Sequence, residues 1–390
     1  MPVLNRIADL HPALTAIRRD LHMHPELDFD VHRTAAIVAA KLREFGCDEV
    51  HEGIGRTGVV GVIRGRSTGS GKVIAMRADM DALPIEEITG AEYASTIPGK
   101  MHACGHDGHT AMLLGAAQIL AETRNFDGTA IVIFQPAEEG GGGGREMVAE
   151  GMLDRFGVQQ VFGMHNMPGI PVGEFAMCKG PIMAAADHFD IKVEGRGAHA
   201  ARPHDGIDTG LVAAHIMLAA QSLVSRNVDP LDNAVVTIAS VHTETTAYNV
   251  IPQVVRMRGT ARTLSPAVQD MIEERLPILA QRTAEAYGAT AEVIYRRNYP
   301  VTVNSDDAVL FAGDVARDVA GAGAVNETVA PMMAAEDFSF MLNERPGAYI
   351  FVGNGDTAGV HHPAYDFDDA AIPFGTSYWV RLAEMGMRSS

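Results

Sequence analysis

Cysteine is scarce in this chain of 390 residues: Cys47, Cys104 and Cys178 are the only three. An odd, widely spaced set is no disulfide framework, and without a CxxC pair it is no thiol–disulfide redox motif. Positive charge is also short. Thirty-one Lys and Arg face 49 Asp and Glu, a formal charge of −18, which argues against nucleic acid or an anionic membrane as partner, since both need basic surface. Long hydrophobic runs are missing too. The most apolar helical stretch, "LVAAHIMLAAQSLV", has 14 residues and carries His215, short of the roughly 20 that span a bilayer. The opening "MPVLNRIADLHPALTAIRR" has no continuous apolar segment of the signal-peptide kind. The expectation is a protein of the reducing cytoplasm.

What remains is ordinary globular material, 47% hydrophobic and 21% charged, long enough for two domains with their own cores. Between residues 187 and 298 the hydrophobic period changes in a definite order. "DHFDIKVEG" alternates as a strand, "GIDTGLVAAHIMLAAQSLVSRN" reads as a helix, "AVVTIASVH" and "QVVRMRGTART" as strands. "SPAVQDMIEERLPILAQRTAEAY" is an amphipathic helix and "TAEVIYRRNY" a closing strand. The order β-α-β-β-α-β is the ferredoxin-like split βαβ unit, whose ends lie close together, so it reads as an insertion. The flanks differ. "KVIAMRAD", "TAIVIFQPAE", "QVFGMHN" and "AYIFVGNG" are nearly continuous apolar runs alternating with helical stretches, the pattern of a mostly parallel sheet covered on both faces. The predicted fold class is α/β, with one domain made of residues 1–186 and 299–390 and an inserted domain of 187–298.

Polar residues collect after the apolar runs. Arg77, Asp79 and Asp81 follow "VIAM"; Glu138 and Glu139 follow "IVIF"; His165 follows "VFGM"; His361 and His362 lie downstream of "YIFV". Ligands of open α/β sheets gather beyond the carboxyl ends of the strands. Each residue also has a bland reading. Cys104 and His106, in "MHACGHDGHT", could be a buried thiol beside a helix-start histidine. Glu138 and Glu139 could be a solvated pair, though surface acids rarely end so apolar a strand. His165 could be a satisfied core histidine. Adjacent side chains on an extended segment face opposite ways, so one of His361 and His362 at most enters a given site. His22 and His24 fit capping or packing at a helix end, and His109, one turn from His106, fits an orienting role. One thiol, three imidazoles and one carboxylate exceed the four ligands of a closed zinc site. They suit two adjacent cations holding a hydroxide, with Glu138 or Glu139 left over as general base. The implied chemistry is metal-assisted hydrolysis.

The motifs "MRADMDALPI", "MHACGHDGHTA", "FQPAEEGGGG", "GMHNMP", "GAHAARPHDGID", "NVIP", "AAEDFSF" and "HHPAYDF" run in order through nearly the whole chain. Together they resemble the metal-dependent aminoacylase, carboxypeptidase and dipeptidase family, in the branch of hippurate hydrolases and auxin-conjugate amidohydrolases. The resemblance implies a metallopeptidase-like catalytic domain carrying a lid that dimerises. It implies Cys104 (bridging), His106, Glu139, His165 and His361 as ligands of two divalent ions, with Glu138 as base. His199 would steady the oxyanion in the partner subunit's site, and Asn249 and Arg262 would meet the substrate carboxylate. Arg77 stands where more distant branches carry a histidine, so Asp79 is an orienting residue at most. The activity implied is hydrolysis of N-acyl amino acids to a carboxylic acid and a free amino acid; the alternatives are a dipeptidase or deacetylase of an amino-acid intermediate and, from a different class, a non-catalytic ligand-binding protein. Thiolate and imidazole favour zinc, while glutamate with imidazole also accepts manganese, cobalt or nickel. A homodimer, or a dimer of dimers, through the lid is the expected assembly.

Overall fold

The computed structural model describes residues 5–388. Two compact units appear. The larger comprises the described residues up to Ile182, Val303–Ala330, and those from Asp337 onward; the smaller comprises Met183–Thr302 and Pro331–Glu336.

In the larger unit the apolar runs form an eight-stranded sheet. Its centre is four parallel strands in the spatial order Thr129–Gln135, Val73–Asp79, Gln160–Met167 and Gly347–Gly353. Gly58–Arg64 and Glu49–Ile54 extend one side antiparallel, and the short Phe175–Ala176 and Val325–Asn326 complete the other. Within Gln160–Met167 and Gly347–Gly353 almost every residue is buried, whichever face it points to, which is why these runs show no alternation.

The helix His106–Thr123 is buried from His106 through Ala117. Asn5–Met23 and Ile372–Gly386 pack against it, and Asp306–Ala320 against Ile372–Gly386. Leu113, Leu114, Phe134, Phe162, Tyr378 and Trp379 share this core, each worth about 1.5–3 kcal/mol of burial. Close packing also explains Gly108: a Cβ there would stand 2.3 Å from the Phe367 ring.

The smaller unit keeps the anticipated element order. Ala185–Glu194, Ala234–Thr243, Val254–Thr263 and Thr290–Tyr299 make an antiparallel sheet, with Thr209–Ser222 and Pro266–Ala286 as its helices. Alternation is plain in Ala185–Glu194: Phe189, Ile191 and Val193 are buried, and His188, Asp190 and Lys192 are not. Ile216, Ile272 and Leu276 fill the core beneath.

One correction concerns the boundaries. Residues 331–336, read from sequence as part of the larger domain, belong with the smaller unit. The Ala184 N–H donates to the Met332 and Ala334 carbonyls, and Met183 bridges to Met332. No periodicity announces so short a segment. No helix among the described residues is long and apolar enough to cross a membrane.

Candidate metal centre

Parallel strands share a direction, so their carboxyl ends share one edge, and the chain leaves that edge loaded with polar side chains. Asp79 closes Val73–Asp79, and Asp81 is two residues beyond. Pro136 and Ala137 follow Gln135 and lead into Glu138 and Glu139. His165 and Asn166 sit near the end of Gln160–Met167. Cys104 precedes His106, the first residue of its helix, and Gly105 between them is left-handed (φ +83°). A Cβ at Gly105 would lie 2.4 Å from both Asn166 Nδ2 and Tyr365 Oη, so only glycine allows this turn.

The five proposed ligands and the spare acid converge. Cys104 Sγ is 3.3 Å from His165 Nε2. His106 Nε2 is 3.8 Å from Glu139 Oε1 and 4.0 Å from Glu138 Oε2. His361 Nε2 is 3.3 Å from Glu139 Oε2. Donor atoms of Cys104, His106 and His165 lie within 4.8 Å of one another, as do those of Cys104, Glu139 and His361 and those of His106, Glu138 and Glu139. Of the adjacent histidines, His361 (φ +66°) faces this cluster. His362 turns to its own loop and accepts the Ala364 N–H at 3.0 Å.

The residues fit cations by their unmet chemistry. Both ring nitrogens of His106 and the Oε1 of Glu139 are buried without a hydrogen bond, a costly state unless something binds them. Negative charge is in excess, since Asp79, Asp81, Glu138 and Glu139 surround one buried imidazole. Burial alone would lower the His106 pKa; Asp79, Asp81 and Glu139 outweigh it and raise the value to about 10. Burial, with Glu139, Glu138 and Asp79, pushes the Cys104 thiol well up, so a thiolate here needs a cation beside it. His165 is held well below the usual imidazole range by burial and by His109. It is therefore neutral, as a ligand must be. Its Nδ1–H donates to the Asn166 carbonyl at 2.5 Å, leaving Nε2 free towards Cys104.

A supporting layer orients these groups. His109 Nε2 accepts the Asn166 backbone N–H at 2.9 Å and Nδ2–H at 3.0 Å, so its Nδ1–H donates to Asp79 at 2.6 Å. Both nitrogens of His109 are thus engaged by neighbouring side chains and backbone. Tyr365 donates to Asn166 Oδ1 at 2.8 Å, and Asn166 donates to the Cys104 carbonyl at 2.6 Å. Arg77 is buried and donates to Asp79 (2.6 Å), Gln135 (2.9 Å) and Asp337 (3.0 Å). Asp107, next to His106, is gripped from the first helix by Arg18 (2.9 Å) and His22 (2.8 Å).

A family model, peptidase family M20/M25/M40, matches residues 75–385. The chain belongs to that family. The hippurate hydrolase of Campylobacter jejuni is 40% identical over 98% of this chain and 99% of the relative. The N-acetyl-L-cysteine deacetylase of Bacillus subtilis is 40% identical over 94% of this chain and 86% of the relative. Among solved structures, a dinuclear metal-binding peptidase of the M20 family from Bacillus subtilis superposes with a TM-score of 0.84. It is 34% identical over 98% of this chain and all of that one.

Three anticipated residues of this M20 family member belong to the smaller unit. His199 is exposed on the two-residue strand Ala198–His199, paired to Val250–Ile251, and the Ala200 N–H donates to the Asn249 carbonyl. His199 Nδ1 accepts the Ala201 N–H at 3.1 Å, which leaves its proton on the outward Nε2. Asn249 is exposed, and Arg262 is half-buried in Val254–Thr263. Arg18, His22, Asp107, Asn166 and Tyr365 were not picked out as site residues from sequence. The available signals were the near-repeat "HMH" and the tyrosine that follows "HHPA".

Proposed function

We propose that this M20 family member is a metal-dependent amidohydrolase that cleaves the amide bond of N-acyl amino acids, releasing a carboxylic acid and a free amino acid. The observation that carries the reading is a thiol, three imidazoles and one carboxylate gathered at one sheet edge, with Glu138 beside them. Similarity to a hippurate hydrolase and to an N-acetyl-L-cysteine deacetylase over nearly the whole chain supports the substrate class.

Cys104, His106, Glu139, His165 and His361 would hold two divalent ions. Once bound, such ions polarise an amide carbonyl and make water a nucleophile at neutral pH. Glu138 takes the proton from the attacking water and returns it to the departing amine, a single buried acid serving first as base and then as acid. Asp79 and His109 hold the supporting layer. His199, with its outward N–H, donates to the developing oxyanion in a neighbouring subunit, a contribution of about 3 kcal/mol. Asn249 and Arg262 meet the substrate carboxylate. A cavity of about 460 Å³ beside Glu139, lined by Leu27, Asp28, Phe29, Ala82, Leu83 and Pro84 and carrying no basic side chain, would seat the acyl group. The donor set favours zinc, with manganese, cobalt or nickel also accepted.

A homodimer is the assembly we assign. Ala234–Thr243 is an outer strand of its sheet, and Leu218 on the neighbouring helix is 72% exposed, both features that a second copy would cover. Three free thiols fit a cytoplasmic location. The test is hydrolysis of hippurate, N-acetyl amino acids, an indole-acetyl conjugate and a dipeptide by the metal-supplemented protein. Glu138→Gln should lower the rate about 10³-fold while metal content stays near two per chain. Equal loss of metal would make Glu138 a ligand, and turnover of the dipeptide alone would move the protein to another branch.

A further inference from the structure

The five donors are not held equally. Cys104 and His106 are buried and the Glu139 side chain is 9% exposed, whereas the His361 side chain is 53% exposed. His361 also has no regular element beneath it: the chain is irregular from Asn354 to Asp368, between the strand Gly347–Gly353 and the single turn Asp369–Ala371. His106, by contrast, opens a helix that is buried from its first residue. A donor on such a loop serves a cation only when something fixes the loop to the rest of the set. That group lies on the first helix. Arg18 of Asn5–Met23 is fully inaccessible. Its Nε lies 2.9 Å from Asp107 Oδ2, beside His106, and its Nη2 donates to Asp366 Oδ1 at 3.0 Å, on the His361 loop. Nη1 faces Asp369 Oδ1 at 3.6 Å, where that loop ends. The guanidinium carbon is 4.8 Å from the centre of the Tyr93 ring, and Tyr93 donates to the other oxygen of Asp366 at 2.7 Å. Beyond Arg18, Asp107 keeps His22 at 2.8 Å and its own helix, whereas Asp366 keeps the neutral Tyr93 hydroxyl. Without the guanidinium the three acids would repel one another, and the loop, not the buried helix, is the part free to move.

We infer that Arg18 is a positioning residue that pins the His361 loop to the start of the His106 helix, so that the first helix sets the affinity for one cation of the two. The donor atoms of Cys104, His106 and His165 form one group and those of Cys104, Glu139 and His361 another. Only the second group takes a donor from the loop. Arginine is required because its planar fork reaches Asp107 and Asp366 at once; the single ammonium of lysine carries the charge without the span. The inference rests on the reading of the cluster as a metal centre.

The experiment is titration of chelator-treated protein with cobalt(II), followed by its visible spectrum, with hippurate turnover and thermal melting alongside. Wild type should bind two cobalt ions per chain. In Arg18→Lys one ion should bind as in wild type and the other about 10–100-fold more weakly. Turnover should fall with the weakened ion and recover as excess cobalt fills it, since every donor is still present. A folded Arg18→Lys protein that binds both ions with wild-type affinity overturns the inference. So does an equal loss at both with a lower melting temperature, the mark of a role in folding alone. Should Arg18→Lys fail to fold, Asp366→Ala carries the test, because that side chain is 39% exposed and its removal leaves Arg18 paired with Asp107. It should show the same one-ion loss, and two ions bound as in wild type would again overturn the inference. A wild type that takes up fewer than two cobalt ions overturns the metal-centre reading along with it. Cobalt affinity is read without substrate, so inactivity towards hippurate would count against the proposed activity and not against Arg18.

Discussion

The two units dispose of polar side chains in opposite ways. In the larger one, Arg77, Asp79, His109, Gln135, Asn166 and Asp337 are nearly inaccessible and hydrogen-bonded to one another, and the equally buried His106 and Asp81 face each other at 3.5 Å. In the smaller one, two acids among the described residues are buried to that degree, Glu336 and, within the antiparallel sheet, Asp187. It is satisfied by Gln269 (3.0 Å) and Tyr295 (2.7 Å). Its other ions sit on an open face, such as Asp190 between Arg258 and Arg296. The cause is sheet type. A parallel sheet covered on both faces has nowhere to put charge except the strand ends, whereas an antiparallel sheet with a free face spreads it along alternate positions. Concentrated, desolvated charge can bind and activate; charge spread over a wet face chiefly keeps a surface soluble.

The sharpest way to break this contrast is to remove a charge from the buried set. Arg77→Met leaves Asp79 and Asp337 without their cation and should cost about 3–5 kcal/mol of unfolding free energy, measured by chemical denaturation. A cost under 1 kcal/mol would mean that the network is not under electrostatic load. The smaller unit's share in chemistry is probed next. His199→Ala should lower kcat about 10²-fold with metal content and melting temperature unchanged. Mixing it with inactive Glu138→Gln subunits should restore part of the activity, since each variant supplies what the other lacks. No recovery after confirmed subunit exchange would confine catalysis to one chain.

A third test uses pH. Burial would lower the His22 pKa, but the Asp107 charge and hydrogen bond, with Glu87, raise it from 6.5 to about 9. A pKa raised on folding adds stability that is complete below the unfolded value and is lost as pH rises through the folded one. Wild type should therefore lose on the order of 2–3 kcal/mol between about pH 6.5 and 9 relative to His22→Gln, followed by melting temperature across that range. Parallel curves would refute the linkage. The smallest effect belongs to the open face: Arg297→Ala, which breaks ion pairs to Asp270 and Glu273, should cost roughly 0–1 kcal/mol.

Legibility in sequence followed the same division. The smaller unit was readable because period two and period 3.6 alternate cleanly along it, and its element order emerged unchanged. The larger sheet was readable from apolar runs, and its site from acids and imidazoles placed after them. What escaped were contacts that leave no local trace. His22, read as a capping or packing histidine, instead grips Asp107, 85 residues away. Residues 331–336 pair with the smaller unit although nothing in their composition sets them apart.

Amphipathic period, composition and turn residues sufficed to say that the chain makes a mostly parallel α/β sheet with a split βαβ insertion, and which side chains are candidates to hold metal. These properties depend on neighbours a few residues apart, which every sequence displays. The folded molecule alone settles that His361 rather than His362 faces Glu139, that His109 spends both nitrogens on its neighbours, and that a left-handed alanine, Ala137, lets the successive acids Glu138 and Glu139 face one centre. Those outcomes turn on ångström-scale directions of side chains brought together from distant segments, and direction in space is fixed only when the strands and helices pack.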